Sequence, residues 1–199
     1  RGVVASCSYA ARMFGVRSAM PMARALQLCP QLVIVPHSFP AYSQTSRQVM
    51  ERLHSLTPLV EQLSIDEAFF DVTGVSGSAH DIARRVQRQI NDELGLPCSL
   101  GGASNKLVAK TANTLGKARA SKNGQSPNAI LIVPDGQEAA FLAPLPIEEL
   151  YGVGPKTAEK LHQMNVRTIG DLTRIPQAEM VRRFGKSGHE LHERAQGID

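Results

Sequence analysis

Leu63-Ser64-Ile65-Asp66-Glu67-Ala68-Phe69-Phe70-Asp71-Val72 sets two adjacent acids inside an apolar surround, and its reading decides the fold. In a regular strand Asp66 and Glu67 would point to opposite faces and could not share one ion. They converge if the strand candidates on either side, Val60 to Leu63 and Ala68 to Val72, meet in a tight turn near Ser64 to Glu67. Charge placed among Leu63, Ile65, Phe69 and Phe70 is costly to desolvate unless it is paired or metal-bound. Hard carboxylate oxygens suit Mg²⁺, which keeps waters and leans on substrate phosphates for the rest of its shell. An Asp-Glu pair alone more often marks a solvated turn. The neighbours have to decide.

Outward from this segment, helices are expected over Tyr9 to Phe14, Pro21 to Leu28, Ala41 to Leu56, His80 to Leu94 and Asn105 to Lys117. The fourth is amphipathic, with Ile82, Val86, Ile90 and Leu94 recurring every fourth residue. Further strands are expected at Val3 to Cys7, at Leu32 to Val35 (buried, between Pro30 and Pro36), near Cys98 to Gly102 and at Ala129 to Val133. From Asp135 onward the pattern changes to short helices joined by tight turns. The fold class is therefore α+β with a mostly antiparallel sheet, followed by an all-helical part, with the boundary near 134–140.

The 199 residues are 42% hydrophobic, 20% charged and 5% aromatic, a globular composition. No stretch approaches the roughly 18 consecutive apolar residues of a membrane span, so no membrane partner is expected. Arg1 to Ser6 has neither the apolar run of a signal peptide nor an initiator Met; it reads as a strand entered midway, so the chain is expected to start inside a longer protein. Cys7, Cys29 and Cys98 are odd in number and lack CxxC spacing, which argues for reduced thiols in a cytoplasmic protein and against a disulfide framework or zinc site. A net charge of +4 and a pI of about 9.2 suit a polyanionic partner, but the placement of the cations carries the discrimination.

Three groups of residues answer that question of placement. Tyr9 and Arg12 are three apart and share a helix face, where a hydroxyl beside a guanidinium fork suits phosphate oxygens; alone, the pair would read as a surface stack. Lys106, Lys110, Asn113 and Lys117 form one stripe down a helix, with Leu107, Val108, Thr111, Ala112 and Leu115 on the buried side. In Tyr151-Gly152-Val153-Gly154-Pro155-Lys156, Gly152 and Gly154 permit tight turning and close approach of backbone N–H groups to an anion, and Pro155 suits the first turn of the next helix. Lys156 and Lys160 add nonspecific charge; the bland alternative is a packing corner with a glycine turn. His189 and His192 have no third ligand and read as an exposed helix face.

Ser64-Ile65-Asp66-Glu67-Ala68, followed by two aromatics, Asp71 and Val72, resembles the S-x-D-E palm motif of Y-family translesion DNA polymerases of the DinB type. Ser8-Tyr9-Ala10-Ala11-Arg12 through Gly15-Val16 to Met20-Pro21 resembles that family's fingers motif, Gly102-Ala103-Ser104-Asn105-Lys106 its G-x-[AS]-x-N-K strand end, and Leu150 to Leu161 its helix-hairpin-helix thumb, continued by Thr168 to Leu172. The resemblance implies fingers over 1–37, palm over 38–134 and thumb over 135–199. It implies Asp66 and Glu67 as catalytic metal ligands for two Mg²⁺ ions, with Ser64 orienting the turn. Tyr9, Arg12 and Lys117 would bind the nucleotide, and Gly152, Gly154, Lys156 and Lys160 would bind DNA. Where the family continues Lys-Pro-x-Gly, this chain has Lys117-Ala118-Arg119-Ala120-Ser121-Lys122-Asn123-Gly124, so Lys122 rivals Lys117.

The implied activity is DNA-directed DNA synthesis from dNTPs on primer-template DNA, low in fidelity and tolerant of damage. The alternative is a non-catalytic homologue that binds DNA as a scaffold. The family's first-strand Asp lies upstream of Arg1 and its second DNA-gripping domain beyond Asp199, so the isolated chain is expected to have little activity. Contact with a sliding clamp would fall to a region outside this chain.

Overall fold

In the computed structural model, residues 2–121 and 124–199 are described; Lys122, the rival to Lys117, lies outside them. The chain runs through helices α1 (Tyr9–Met13), α2 (Met22–Leu28) and α3 (Phe39–Leu56), strands β1 (Val60–Gln62) and β2 (Ala68–Phe70), α4 (Ala79–Leu94), β3 (Leu100–Gly102), α5 (Lys106–Ala120) and β4 (Ile130–Ile132). Then come α6 (Glu138–Leu142), a 3₁₀ turn (Ile147–Glu149), α7 (Pro155–Gln163), α8 (Ile169–Thr173), α9 (Gln177–Phe184) and α10 (Lys186–Ala195). The residues group into two compact units, Arg1–Ser99 with Lys117–Ala129, and Leu100–Gly116 with Ile130–Asp199.

In the first unit, β1 and β2 form the antiparallel hairpin that the acidic segment requires, pairing Val60 with Phe70, Glu61 with Phe69 and Gln62 with Ala68. α3 and α4 pack together beside it, burying Met50 and Leu53 against Ile82, Ala83, Val86 and Ile90. Each large aliphatic side chain removed from water contributes about 1.5–3 kcal/mol. The partly exposed Arg52–Glu93 ion pair (2.8 Å) contributes at most about 1 kcal/mol, so the apolar stripe holds the pair together. α4 starts where the Ser78 hydroxyl accepts the Asp81 N–H (3.1 Å) and stops at Gly95, whose left-handed φ of 65° a side chain would strain. Under α1 and α2 a small cluster of Val4, Ala11, Val16, Ala25 and Cys29 closes the start of the chain.

Two strand expectations are corrected. Val3 to Cys7 reduces to a single bridge, Val3 to Pro21, with bonds from Val4 N–H to Met20 O and Ala19 N–H to Val4 O. Leu32 to Val35 is not a buried strand: Val33, Ile34 and Val35 are 82%, 61% and 74% exposed and pair with no strand among the described residues. A β-branched run makes a strand only where a ladder partner accepts its backbone, and periodicity cannot supply one.

In the second unit the α+β pattern holds, but β3 and β4 are parallel, an addition to the antiparallel expectation. α5 carries the chain back between them, and such a crossover aligns the two strands in the same direction. Gly101 allows the close packing of β3 on α5, because a Cβ there would collide with the Ala109 carbonyl and the Asn113 amide. The helical part surrounds one core in which Leu142, Ile147, Leu161, Ile169, Leu172 and Met180 are fully buried. Thr168 and Asp171 cap α8 reciprocally: the Thr168 hydroxyl accepts the Asp171 N–H (3.1 Å) and Asp171 Oδ2 accepts the Thr168 N–H (2.9 Å). α9 meets α10 at Gly188, where a Cβ would strike the Met180 carbonyl. No helix among the described residues is long and apolar enough to cross a membrane.

Gly188→Ala is expected to destabilise the fold by about 1–3 kcal/mol through overpacking, read as a lowered Tm. The Asp171 carboxyl is held below its ordinary 3.8, first by the Thr168 N–H, then by the Arg167 N–H and the Thr168 hydroxyl. A carboxyl depressed in the folded state stabilises fully above its unfolded pKa and loses that contribution as pH falls through the folded one. Asp171→Asn should therefore lower Tm at pH 7, with the gap to the parent narrowing as the pH drops below about 3.8; thermal melts across a pH series check this.

Candidate functional site

The acidic bend is closed by its own backbone. The Glu67 carbonyl accepts from Leu63 N–H (2.9 Å) and Ser64 N–H (3.1 Å), so Ser64 to Glu67 turn sharply instead of continuing a ribbon. Ser64 Oγ donates to Asp66 Oδ1 (2.7 Å) and accepts the Asp66 N–H (3.3 Å), which orients that carboxylate. Gln62 Nε2 donates to the Ser64 carbonyl (2.9 Å) and to Ser46 Oγ on α3 (3.2 Å), tying the bend to the helix beside it. Asp66 is exposed and Glu67 half-buried. Two residues on, the Thr73 N–H donates to Asp71 Oδ1 (2.7 Å), and Thr73 holds that carboxyl below its usual range; Asp71 ends the strand and stands apart from the bend.

The donor set fits a hard divalent cation. Ser64 occupies Asp66 Oδ1, while Oδ2 takes no hydrogen bond among the described residues, and Glu67 adds a second carboxylate at the same bend. No group of three or more His, Cys, Asp or Glu side chains gathers at a metal position among the described residues. Asp66 and Glu67 would thus be two ligands of a shell completed by water, phosphate or further chain.

Of the cationic residues in the first unit, Arg12 sits on α1 and Lys117 near the end of α5. Ser8 caps α1 by accepting the Ala11 N–H (3.2 Å), and Arg17 Nη1 donates to the Arg12 carbonyl (2.7 Å), so this five-residue helix is pinned at both ends. The Arg12 guanidinium lies 5.2 Å from the centre of the Tyr9 ring, a cation–π contact that holds the two side chains as one unit. Arg12 Nε is buried with no hydrogen-bond partner, a donor left unspent. Lys117 is half-buried in the last turn of α5. Gly124 comes against α1: a Cβ there would lie 3.2 Å from Met13 Cγ and 3.5 Å from Ala10 Cα. Burial pushes the Cys98 thiol up to about 11, with the Lys117 charge opposing, so Cys98 is a packing thiol and not a nucleophile.

In the second unit the stretch Tyr151 to Lys156 forms a glycine hairpin leading into α7. Gly152 has φ 97°, a conformation that strains any other residue, and Gly154 is extended as the N-cap with Pro155 at the first helical position. Gly152, Gly154, Lys156 and Lys160 are all exposed, whereas Val153 is buried and anchors the turn through its N–H to the Leu150 carbonyl (2.9 Å). The hairpin therefore presents backbone N–H groups and two lysines to solvent, which suits an anionic backbone. Sequence reading missed Arg194, whose guanidinium lies 5.2 Å from the Tyr151 ring centre and whose Nη1 donates to the Tyr151 carbonyl (3.4 Å). A contact 43 residues away left no local signal. His189 and His192 bond glutamines, Gln177 (2.6 Å) and Gln196 (3.0 Å).

Comparison with known proteins shows the family and the fold. The impB/mucB/samB family model matches residues 1–114, and the model of the thumb domain of DNA polymerase-iota matches residues 148–199. The whole chain is 46% identical to DNA polymerase IV of Desulfatibacillum aliphaticivorans, covering 49% of that protein, and 43% identical to DNA polymerase IV of Ralstonia nicotianae, covering 54%. The chain spans about half the length of these curated relatives. Among solved structures, the insertion ternary complex of Dbh DNA polymerase superposes with a TM-score of 0.87 at 28% identity over 100% of this chain and 56% of that one. DinB from Sulfolobus solfataricus gives 0.85 at 29% identity over 98% of this chain and 56% of that one.

Proposed function

Because the chain belongs to the impB/mucB/samB family, we propose that it carries the nucleotide-handling and duplex-gripping parts of a DNA polymerase that extends primers with dNTPs and tolerates damaged templates. The observation that supports the reading is the bend at Ser64 to Glu67, which takes both acidic residues out of the strand ladder while Ser64 fixes the Asp66 carboxylate. Residues 1–37 then act as fingers, 38–134 as palm and 135–199 as thumb.

In this reading Asp66 and Glu67 would be ligands of two Mg²⁺ ions, which when bound would supply Lewis-acid charge for phosphoryl transfer. Ser64 keeps Asp66 turned to the site, at the cost of one carboxylate oxygen. Arg12 spends its free Nε and the rest of its fork on triphosphate oxygens, with the Tyr9 hydroxyl beside it. Lys117 adds a second positively charged side chain. An incoming nucleotide brings roughly four negative charges, and phosphoryl transfer depends mainly on positioning and neutralisation. Gly152 and Gly154 offer backbone N–H groups to a duplex phosphate, and Lys156 and Lys160 strengthen the grip without reading sequence. The three cysteines, none in a disulfide, suit the reducing cytoplasm.

Asp66→Ala in the intact protein should abolish Mg²⁺-dependent primer extension while leaving duplex affinity within about two-fold, since an exposed carboxylate contributes little to the fold. Extension by this variant at the parent rate would overturn the metal assignment and favour a scaffold. Replacing Lys156 and Lys160 together by Ala should lower the slope of log affinity against log salt by about 1.8, two contacts at roughly 0.9 each, as read by anisotropy titrations with duplexes of unrelated sequence.

A further inference from the structure

The glycine hairpin cannot hold its own shape. Gly152 at φ 97° is of the residue type with the most conformational freedom, Tyr151 is 66% exposed, and among the described residues the turn's own backbone bond is the one from Val153 N–H to the Leu150 carbonyl. A loop that grips phosphate through backbone N–H groups works only if those groups already point the right way. What meets the outer half of this loop is α10. An added Cβ on Gly152 would lie 2.7 Å from Arg194 Nη1 and 3.5 Å from Leu191 Cδ2, so these two side chains form the floor on which Gly152 rests.

The Arg194 guanidinium makes three contacts there. Its Cζ lies over the Tyr151 ring at 5.2 Å, Nη1 donates to the Tyr151 carbonyl at 3.4 Å, and Nη2 lies 3.6 Å from Glu190 Oε2 one turn back. Each terminal nitrogen thus has one contact within the protein, one with the loop and one with a carboxylate, and the side chain is only 26% exposed. A planar fork can stack and donate at once; a lysine ammonium cannot.

We propose that Arg194 is a positioning residue of the hairpin: it holds Tyr151 and Gly152 so that the loop's N–H groups face a duplex phosphate, without touching that phosphate itself. This rests on the reading of the hairpin as a DNA grip. Its mark is a loss of affinity that does not change the number of cations engaged. Neutral N–H contacts release no counterions from DNA, whereas a direct guanidinium–phosphate contact would contribute about 0.9 to the salt slope.

The test is anisotropy titration of the intact protein with duplex DNA over a salt series. Arg194→Ala and Arg194→Lys should each weaken binding about ten-fold, the loss of one charge-assisted bond and its order, with the salt slope unchanged. Tyr151→Ala should weaken it similarly, and the Tyr151→Ala, Arg194→Ala double variant should be no weaker than either alone. Recovery of affinity by Arg194→Lys, a slope lowered by about 0.9 in Arg194→Ala alone, or additive losses in the double variant would each overturn the proposal in favour of a direct phosphate contact. Parent-like binding by Arg194→Lys and Tyr151→Ala would overturn it outright, even if Arg194→Ala failed to fold. Should the Lys156, Lys160 double variant leave affinity and slope untouched, the DNA-grip reading itself fails, which is a separate result.

Discussion

Two carboxylates adjacent in sequence can serve one site only if the chain bends between the strands that flank them. Here the bend is made by two N–H groups, of Leu63 and Ser64, converging on one carbonyl, that of Glu67. The antiparallel register of β1 and β2 leaves Ser64 to Glu67 outside the ladder, where side-chain alternation no longer applies. Ser64 turns this freedom into orientation by bonding Asp66 through both side chain and backbone, and Gln62 ties the turn to α3. A slip of one residue in the pairing would send every hairpin side chain to the other face. Pairing of Val60 with Phe70 and the burial of α3 against α4 guard against it.

The start of α5 shows a different use of polar groups. Ser104 Oγ donates to Glu138 (2.5 Å), Asn105 Nδ2 donates to the Gly197 carbonyl (2.7 Å), and Asp199 Oδ2 accepts the Leu107 N–H (3.0 Å). These bonds join the first turn of the helix to segments 34 and 92 positions away. Helix N-terminal N–H groups have no intrahelical partner, so Asp199 and Asn105, which also accepts from Val108 N–H (3.0 Å), satisfy donors that would otherwise be stranded. Ser104 and Asn105 therefore act in the G-x-[AS]-x-N-K segment as structural fasteners, while its Lys106 is exposed.

Cation placement separates this chain from a merely basic protein. A net charge of +4 is unremarkable in itself. The informative features are an arginine locked on a tyrosine at one helix face and a pair of exposed lysines beside a glycine hairpin. Both are positions where a fixed donor geometry matters more than total charge.

Most helices and both hairpin strands were legible in the sequence, because each depends on local periodicity or on a bend whose residues lie within a span of five. The acidic pair, Tyr9 with Arg12 and the glycine hairpin were legible for the same reason: their partners are near neighbours in the chain. The exposed course of Val33 to Val35, the parallel alignment of β3 with β4, the fasteners of α5 and the support of Tyr151 by Arg194 were decided only in three dimensions. A strand needs a ladder partner, a helix N-terminus needs an acceptor brought to it, and a stacked guanidinium needs a ring from another segment; which distant segment meets which is settled by tertiary packing, and no window of residues records it.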